Sequence, residues 1–553
     1  MSDTKSTVAK LLVKCLEAEG VEYVFGIPGE ENIRLIDAMA DSSIRFILVR
    51  HEQGASFMAD MYGRLTGKAG VCTATLGPGA INLLLGVADA QTDSTPMVAI
   101  SAQVGLNRIY KESHQYIDLQ GMFAPVTKWS DTILTPASVP EMMRKAFDLA
   151  QRERPGAVYL AVPQDLEESD VSADLKPITV HPVHTTAPDP DQVAATIDLI
   201  KKAKQPIILA GHGVARSHAS KQLIELSELL NVPVATTFMA KGVIPDRHPN
   251  ALGVAGFMRR DYENFACDAA DVILSVGYEL QEFAPSKINP NHDKKIVHIH
   301  HFAEDIDAAY PVAIAIEADI DKSLDALIDG LKKTTFPKFD NHAKIKQIKK
   351  EELDGNADDQ SFPLKPQRII SDIRKAMGDD DIVLADTGAI KMWMARLYPT
   401  QKPSTCLISN GLSTMAFALP GALAAKLACP DRKVLAVMGD GSFLMNSQEI
   451  ETAIRENIPL VVLIWVDDAY GLIKWKMDLE IKHHRDVDFT NPDFVQYAES
   501  FGAKGYEIKS ADMLLPVIEK ALADDGVSII ACPVDYAENN KLTDKLGDLT
   551  ITI

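Results

Sequence analysis

Short runs of β-branched and aliphatic residues alternate along the chain with longer segments whose apolar positions recur every three to four residues. The runs at 21–27, 44–49, 70–76, 96–101, 157–162, 206–211, 271–277, 295–300, 381–386, 433–440, 459–466 and 528–534 read as strands, and the segments between them as helices. These strands are apolar throughout rather than alternating, which predicts parallel sheets covered by helices on both faces, a doubly wound α/β class. Sheets of that kind bind ligands at the carboxyl ends of their strands.

Two stretches interrupt the pattern. Residues 180–192 are rich in Pro and Thr, and residues 333–366 are dense in charge and Pro with a helical middle; both read as linkers. They divide the 553 residues into three α/β domains, 1–180, 190–335 and 360–553, each long enough to build its own core. Lys and Arg number 56 against 77 Asp and Glu, a net charge of −21. Such a chain repels phosphate backbones and anionic lipid, which argues against nucleic acid or a membrane as partner but leaves room for a local basic pocket for a small anion. Cys15, Cys72, Cys267, Cys406, Cys429 and Cys532 are scattered through apolar runs, as expected for free thiols in a reducing compartment. The first residues form an amphipathic, charged pattern unlike a signal peptide, and the uncharged apolar run Ile458 to Val466 is about half of the roughly 20 residues a membrane span requires. A cytoplasmic protein is expected.

The chemistry concentrates in the third domain. The strand at 433–438 ends in Gly439-Asp440-Gly441-Ser442 and a helical pattern follows. The next strand ends in Asp467-Asp468, 27 residues after Asp440, the length of one strand–helix–strand unit. That spacing puts two carboxylates at one sheet edge, where hard oxygen ligands suit Mg²⁺ bridging phosphate oxygens. Taken singly, each could be a tight turn or a solvated strand end.

This pair, with its intervening helix and buried strand, resembles the thiamin diphosphate (ThDP) binding motif, and further motifs in the expected order extend the resemblance over nearly the whole chain. Arg50-His51-Glu52-Gln53 resembles the strand–helix turn that carries the family's catalytic glutamate. Thr75-Leu76-Gly77-Pro78-Gly79-Ala80-Ile81-Asn82 is similar to the turn under the pyrimidine ring, and Asn410-Gly411-Leu412-Ser413-Thr414-Met415 to the segment that bends the cofactor. The resemblance implies an N-terminal pyrimidine-binding, a central and a C-terminal diphosphate-binding domain. It implies Glu52 as the carboxyl group that drives tautomerisation of the aminopyrimidine, a general acid–base role. Pro78 and Asn82 would flank it, the Ser413 carbonyl would accept the 4′-amino group, and Met415 would support the bend as a flexible apolar wedge. Asp440, Asp467 and the Ala469 carbonyl would hold Mg²⁺, with Gly441, Ser442, Tyr470, Gly471, Leu472 and Ile473 around the diphosphate. Family members pair these domains between subunits, so a homodimer at least, and a homotetramer beyond it, is implied.

Within that family the chain looks like the FAD-free, catabolic-type acetolactate synthases. Gly277-Tyr278-Glu279 stands where flavin-binding members carry an Arg, and His298-Ile299-His300-His301 where they carry an acidic ribose acceptor, so no FAD is expected. Alternate His in a buried strand are read as packed or hydrogen-bonded rather than metal-binding. The implied reaction decarboxylates pyruvate and joins the two-carbon unit to a second pyruvate, giving 2-acetolactate. His114-Gln115 replaces the paired His of decarboxylases; Gln115 would hydrogen-bond the second 2-oxo acid, with Gly29, Phe123 and Lys128 lining the substrate side. The alternatives are a 2-oxo-acid decarboxylase, a carboligase with another donor, or a silent binding scaffold. The chain departs from the catabolic pattern at Glu30-Glu31, where relatives carry a small residue and Lys, and at Gly388-Ala389-Ile390-Lys391, where some carry polar residues.

Overall fold

The computed structural model describes residues 6–181, 185–256, 262–337 and 343–542. Residues 182–184 and 338–342, which fall inside the two expected linkers, lie outside it. Three six-stranded parallel sheets account for all the strands described. The first comprises β1 (Tyr23–Gly26), β2 (Arg45–Leu48), β3 (Gly70–Ala74), β4 (Met97–Gln103), β5 (Trp129–Thr132) and β6 (Ala157–Pro163), in the order β2-β1-β3-β4-β6-β5. The second comprises β7 (Pro206–Ala210), β8 (Val234–Thr236), β9 (Ala251–Val254), β10 (Val272–Val276), β11 (Lys295–His300) and β12 (Val312–Glu317), in the order β12-β11-β10-β7-β8-β9. The third comprises β13 (Ile382–Ala385), β14 (Cys406–Leu407), β15 (Val434–Gly439), β16 (Leu460–Val466), β17 (Lys504–Glu507) and β18 (Val527–Pro533), in the order β14-β13-β15-β16-β18-β17.

The expected strands are the interior ones other than β8, together with the edge strand β2. Burial on both faces makes β6 and β7 apolar at every position and β4 and β10 nearly so, and each is buried along its full length. The strands not anticipated are β5, β8, β9, β12, β14 and β17. All but β8 lie at sheet edges, where exposure dilutes the apolar signal, and β8 is only three residues long. The charged linker does carry its helix, Ala343–Gly355.

The chain groups into two compact units. One holds residues 1–183 with 412–431 and 444–460; the other holds 184–411, 432–443 and 461–553. In the first unit, the helix Glu52–Thr66 is anchored by Arg64, whose guanidinium bridges Asp60 and Asp93, each at 3.0 Å and all three buried. Phe57 of the same helix meets Phe417 edge-on at 5.8 Å. In the second unit, the faces of the β7–β12 sheet bury Ile208, Leu274 and Val297 on one side and Ile207, Ile273 and Ile296 on the other. Among the described residues no helix is long and apolar enough to cross a membrane.

Candidate active site

In the first unit, the helix Glu52–Thr66 follows β2 after a short turn. His51 caps it, its Nδ1 accepting the Gln53 N–H at 3.1 Å, and Gly67 ends it in the left-handed conformation (φ 69°). Glu52 is therefore the first helical residue, half-buried at a carboxyl-end loop of the sheet. Its Oε2 accepts the Asn82 amide at 3.0 Å. Asn82 sits on the helix Pro78–Thr92, which Pro78 starts after Gly77 turns the chain at φ 58°. A side chain at Gly77 would strike the Gln115 carbonyl, 2.9 Å from the ideal Cβ position, so Gln115 is held against this turn with its own φ at 56°. Gly29 packs on Thr75 of the same turn. Glu52, Asn82, Gly77 to Gly79, Gln115 and Gly29 thus belong to one loop cluster.

Ser413 and Ala416, flanking Met415, have φ of 53° and 70°. A left-handed conformation costs a non-glycine residue about 1–2 kcal/mol, so the surrounding structure must impose it. Asn446 contributes by donating to the Ala416 carbonyl at 3.1 Å. Ser413 is exposed and Met415 half-buried.

Of the two departures at the first turn, Glu30 is exposed and Glu31 accepts the Thr75 hydroxyl at 2.5 Å. Phe123 and Lys128 make their contacts with β6 and with the turn that precedes it. Phe123 stacks on Tyr159 with ring centroids 3.8 Å apart, and the Lys128 ammonium donates to the carbonyls of Arg152 and Arg154 at 2.8 and 2.6 Å. Burial lowers the Lys128 pKa to about 8.

The second unit carries the carboxylate pair. Asp440 follows β15 and is 1% exposed; its Oδ2 accepts the N–H groups of Asp467 and Asp468 at 3.1 and 2.8 Å. The strand-end register predicted from the 27-residue spacing is therefore the one formed, since Gly439 pairs with Trp465 across β15 and β16. Burial raises the Asp440 pKa. Burial, and then repulsion by Asp440, raises that of Asp467 to about 8. Among the described residues neither carboxylate forms an ion pair with Lys or Arg. One buried and one half-buried hard-oxygen donor without an ion-paired Lys or Arg match what a divalent ion requires.

Ala469 and Tyr470 are fixed by pairing with the 487–488 segment: Ala469 bridges to Asp488 and the Tyr470 N–H donates to the Val487 carbonyl at 2.9 Å. Gly471 starts the helix Gly471–Ile481, and a Cβ there would lie 2.2 Å from the Asp467 carboxylate. Lys391, one of the departures, is buried and donates to the Ser409 carbonyl at 2.9 Å.

In the β7–β12 domain, Glu279 is buried and ion-paired with Arg216 at 2.6 Å. Glu282 accepts the N–H groups of His212 and Glu279 at 3.1 and 3.0 Å, and burial with repulsion by Glu279 raises its pKa to about 8. His298 bonds Tyr310 at 3.0 Å and the Phe302 carbonyl at 3.1 Å, the packed arrangement expected of it.

Two residues were not legible beforehand. Asn491 donates to Asp440 at 2.8 Å and Asp468 at 2.7 Å from a loop far along the chain. Glu449 is fully buried in the first unit, accepting the N–H groups of Arg50 and His51, each at 3.1 Å. A carboxylate among the buried residues Ile450, Thr452 and Ala453 of its helix was the one available signal.

Comparison with known proteins identifies the family. Residues 6–122 match the N-terminal TPP binding domain of thiamine pyrophosphate enzymes, residues 193–327 their central domain and residues 386–532 their C-terminal TPP binding domain. Relatives include a probable acetolactate synthase large subunit from Methanococcus aeolicus, 36% identical over 95% of this chain and 92% of its own length. Acetolactate synthase of Bacillus subtilis is 35% identical over 98% of this chain and 96% of its own length. A catabolic acetolactate synthase from Raoultella terrigena is 34% identical over 97% of each. The chain belongs to the thiamine pyrophosphate enzyme family, as a ThDP-dependent enzyme of the acetolactate synthase kind.

Proposed function

We propose that the protein is a Mg²⁺-dependent, FAD-free acetolactate synthase that converts two pyruvate molecules into 2-acetolactate and CO₂. The observation that carries this reading is Gln115, held by backbone packing at the Gly77 turn in the same loop cluster as Glu52. A carboxamide donates hydrogen bonds but is a poor acid. At that place it orients a second 2-oxo acid and does not supply the proton that aldehyde release requires. When bound, ThDP supplies the electron sink for cleaving the bond to the pyruvate carboxylate. Glu52 holds or releases one carboxyl proton, its Oε2 fixed by Asn82. Asp440, Asp467 and the Ala469 carbonyl would hold the cation, with Gly441, Ser442 and the segment Tyr470 to Ile473 beside the diphosphate. Ser413, Met415 and Pro78 would contact the cofactor rings, and Gly29, Phe123 and Lys128 the substrate side.

A homodimer or larger homo-oligomer is supported by Ile81 and Leu85, 47% and 39% exposed one turn apart on the helix that carries Asn82. Cytoplasmic residence is supported by six free cysteines. A second reading, a carboligase or decarboxylase for another 2-oxo acid, draws on Glu31, whose carboxylate at Thr75 would repel an anionic donor entering beside that turn. Product analysis after incubation with pyruvate, ThDP and Mg²⁺ decides. 2-Acetolactate is expected; acetaldehyde as main product establishes the decarboxylase, and no consumption of pyruvate another donor.

A further inference from the structure

A cavity of about 570 Å³ opens in the second unit between β9, the helix Ala343–Gly355 and the end of the helix Ala389–Leu397. Its volume falls in the range of small-molecule sites, roughly 300–1,000 Å³. The body of its wall is apolar, with Leu252, Leu353 and Leu397, but its charged groups are mostly of one sign. Lys241, Arg247, Lys346, Lys349, Lys350 and Arg396 line it against only Asp246 and Asp354. In a chain of net charge −21 such a concentration of cations is not a sampling of the surface. It focuses positive potential into a concave, low-dielectric site.

The carboxylates offset only part of this field. Asp246 accepts the Thr400 N–H at 2.6 Å and lies 3.6 Å from Lys241, Asp379 pairs with Arg247 at 3.0 Å and Asp354 with Lys350, so six cations face three carboxylates. Lys346 is held by neutral groups, the carbonyls of His248 and Pro249 at 2.5 and 3.2 Å. Burial and repulsion by Lys349 lower its pKa. The wall also includes Gln401, whose Oε1 is buried with no hydrogen-bond partner. A buried orphan acceptor calls for a donor, and the cavity is where one can arrive.

From this arrangement we propose that the cavity binds a phosphorylated small molecule of nucleotide size. Its anionic groups would lie against Lys346 and Lys349, its body on Leu252 and Leu353, and an N–H or O–H donor on Gln401. A bare anion would satisfy the lysines but leave the apolar wall and Gln401 without a partner.

The test is calorimetry on the full-length protein saturated with ThDP and Mg²⁺, so that the diphosphate site cannot take up the probe. The probes are ATP and inorganic tripolyphosphate. ATP is expected to bind more tightly than tripolyphosphate, and Lys346→Gln or Lys349→Gln to weaken ATP by about tenfold, the loss of one charge-assisted contact. Gln401→Leu should narrow the preference for ATP. Melting temperatures without nucleotide show whether each variant is folded. Lys350→Gln, at an exposed position of the same wall, serves as the second charge variant if a half-buried one unfolds. No binding of ATP, equal binding of tripolyphosphate, or ATP affinity unchanged in the folded lysine variants would each overturn the proposal.

Discussion

The carboxylate of Glu449 accepts the backbone N–H of His51 at 3.1 Å, one residue before Glu52. It takes the Arg50 N–H at the same distance and the Thr452 hydroxyl at 2.6 Å. A Cβ at Gly54 would lie 2.8 Å from it. The first turn of the helix that presents Glu52 is therefore seated on a buried acid that is remote in sequence. Losing that acceptor strands two part-buried amides, at up to about 1–3 kcal/mol each. Glu449→Ala should lower the melting temperature and reduce turnover together, while Glu449→Gln, which keeps one acceptor oxygen, should preserve more of both. Equal stability and turnover in the alanine variant would show that the turn holds itself.

The same residue gives a pH dependence. Burial raises the Glu449 pKa from 4.5 to about 7. The folded state thus holds a proton that the unfolded state has released, so stability falls as pH rises between these values. The contribution is fully present below about 4.5 and lost as pH passes about 7, an effect of about 3 kcal/mol. Melting temperatures of the wild type and Glu449→Gln, measured from pH 5 to 8, should show a steeper decline in the wild type. Parallel curves would refute the assignment.

Glu52→Gln should abolish most turnover and spare cofactor binding. The amide retains hydrogen-bonding capacity but cannot exchange a proton, and acid–base roles of this kind are worth about 10²–10⁴-fold. Unchanged turnover at saturating ThDP would remove Glu52 from the chemistry.

Asp440→Ala should eliminate Mg²⁺-dependent ThDP binding. It removes the buried member of the carboxylate pair and frees the N–H groups of Asp467 and Asp468 that it now holds. Titration calorimetry with and without Mg²⁺ measures this; wild-type affinity would place the cation elsewhere.

The purified protein should carry no flavin. Glu279 is spent on Arg216, and Glu282 fills the amide of His212 where an anion from outside would compete. Flavin absorbance at one equivalent per chain would contradict this.

The reach of sequence reading follows from what is local. The interior strands were legible because burial on both faces demands apolar residues at every position. Edge strands such as β12, with its exposed Ala313 and Glu317, escape that demand. The pairing of Asp440 with the 467–468 turn was legible because one strand–helix–strand unit has a fixed length, so spacing alone sets the register. Glu52 and Asn82 could be named as candidates only because the turns that carry them resemble those of a known family, whereas Asp440 also stood out by its place at a strand end.

Glu449 and Asn491 could not be named. Each acts on residues far along the chain, Glu449 on Arg50 and His51 and Asn491 on Asp440, and no periodicity records such a contact. The fate of Glu30 and Glu31 was likewise open in the sequence, since two adjacent carboxylates look alike there. Folding separated them: Thr75 arrives beside Glu31 and leaves Glu30 in water. The sequence by itself determined the α/β class, through burial of its strands, and the family, through motifs that resemble those of ThDP enzymes. Only the tertiary structure decided which buried groups hold the candidate residues in place, because a buried polar atom needs a partner and that partner can come from anywhere in the chain.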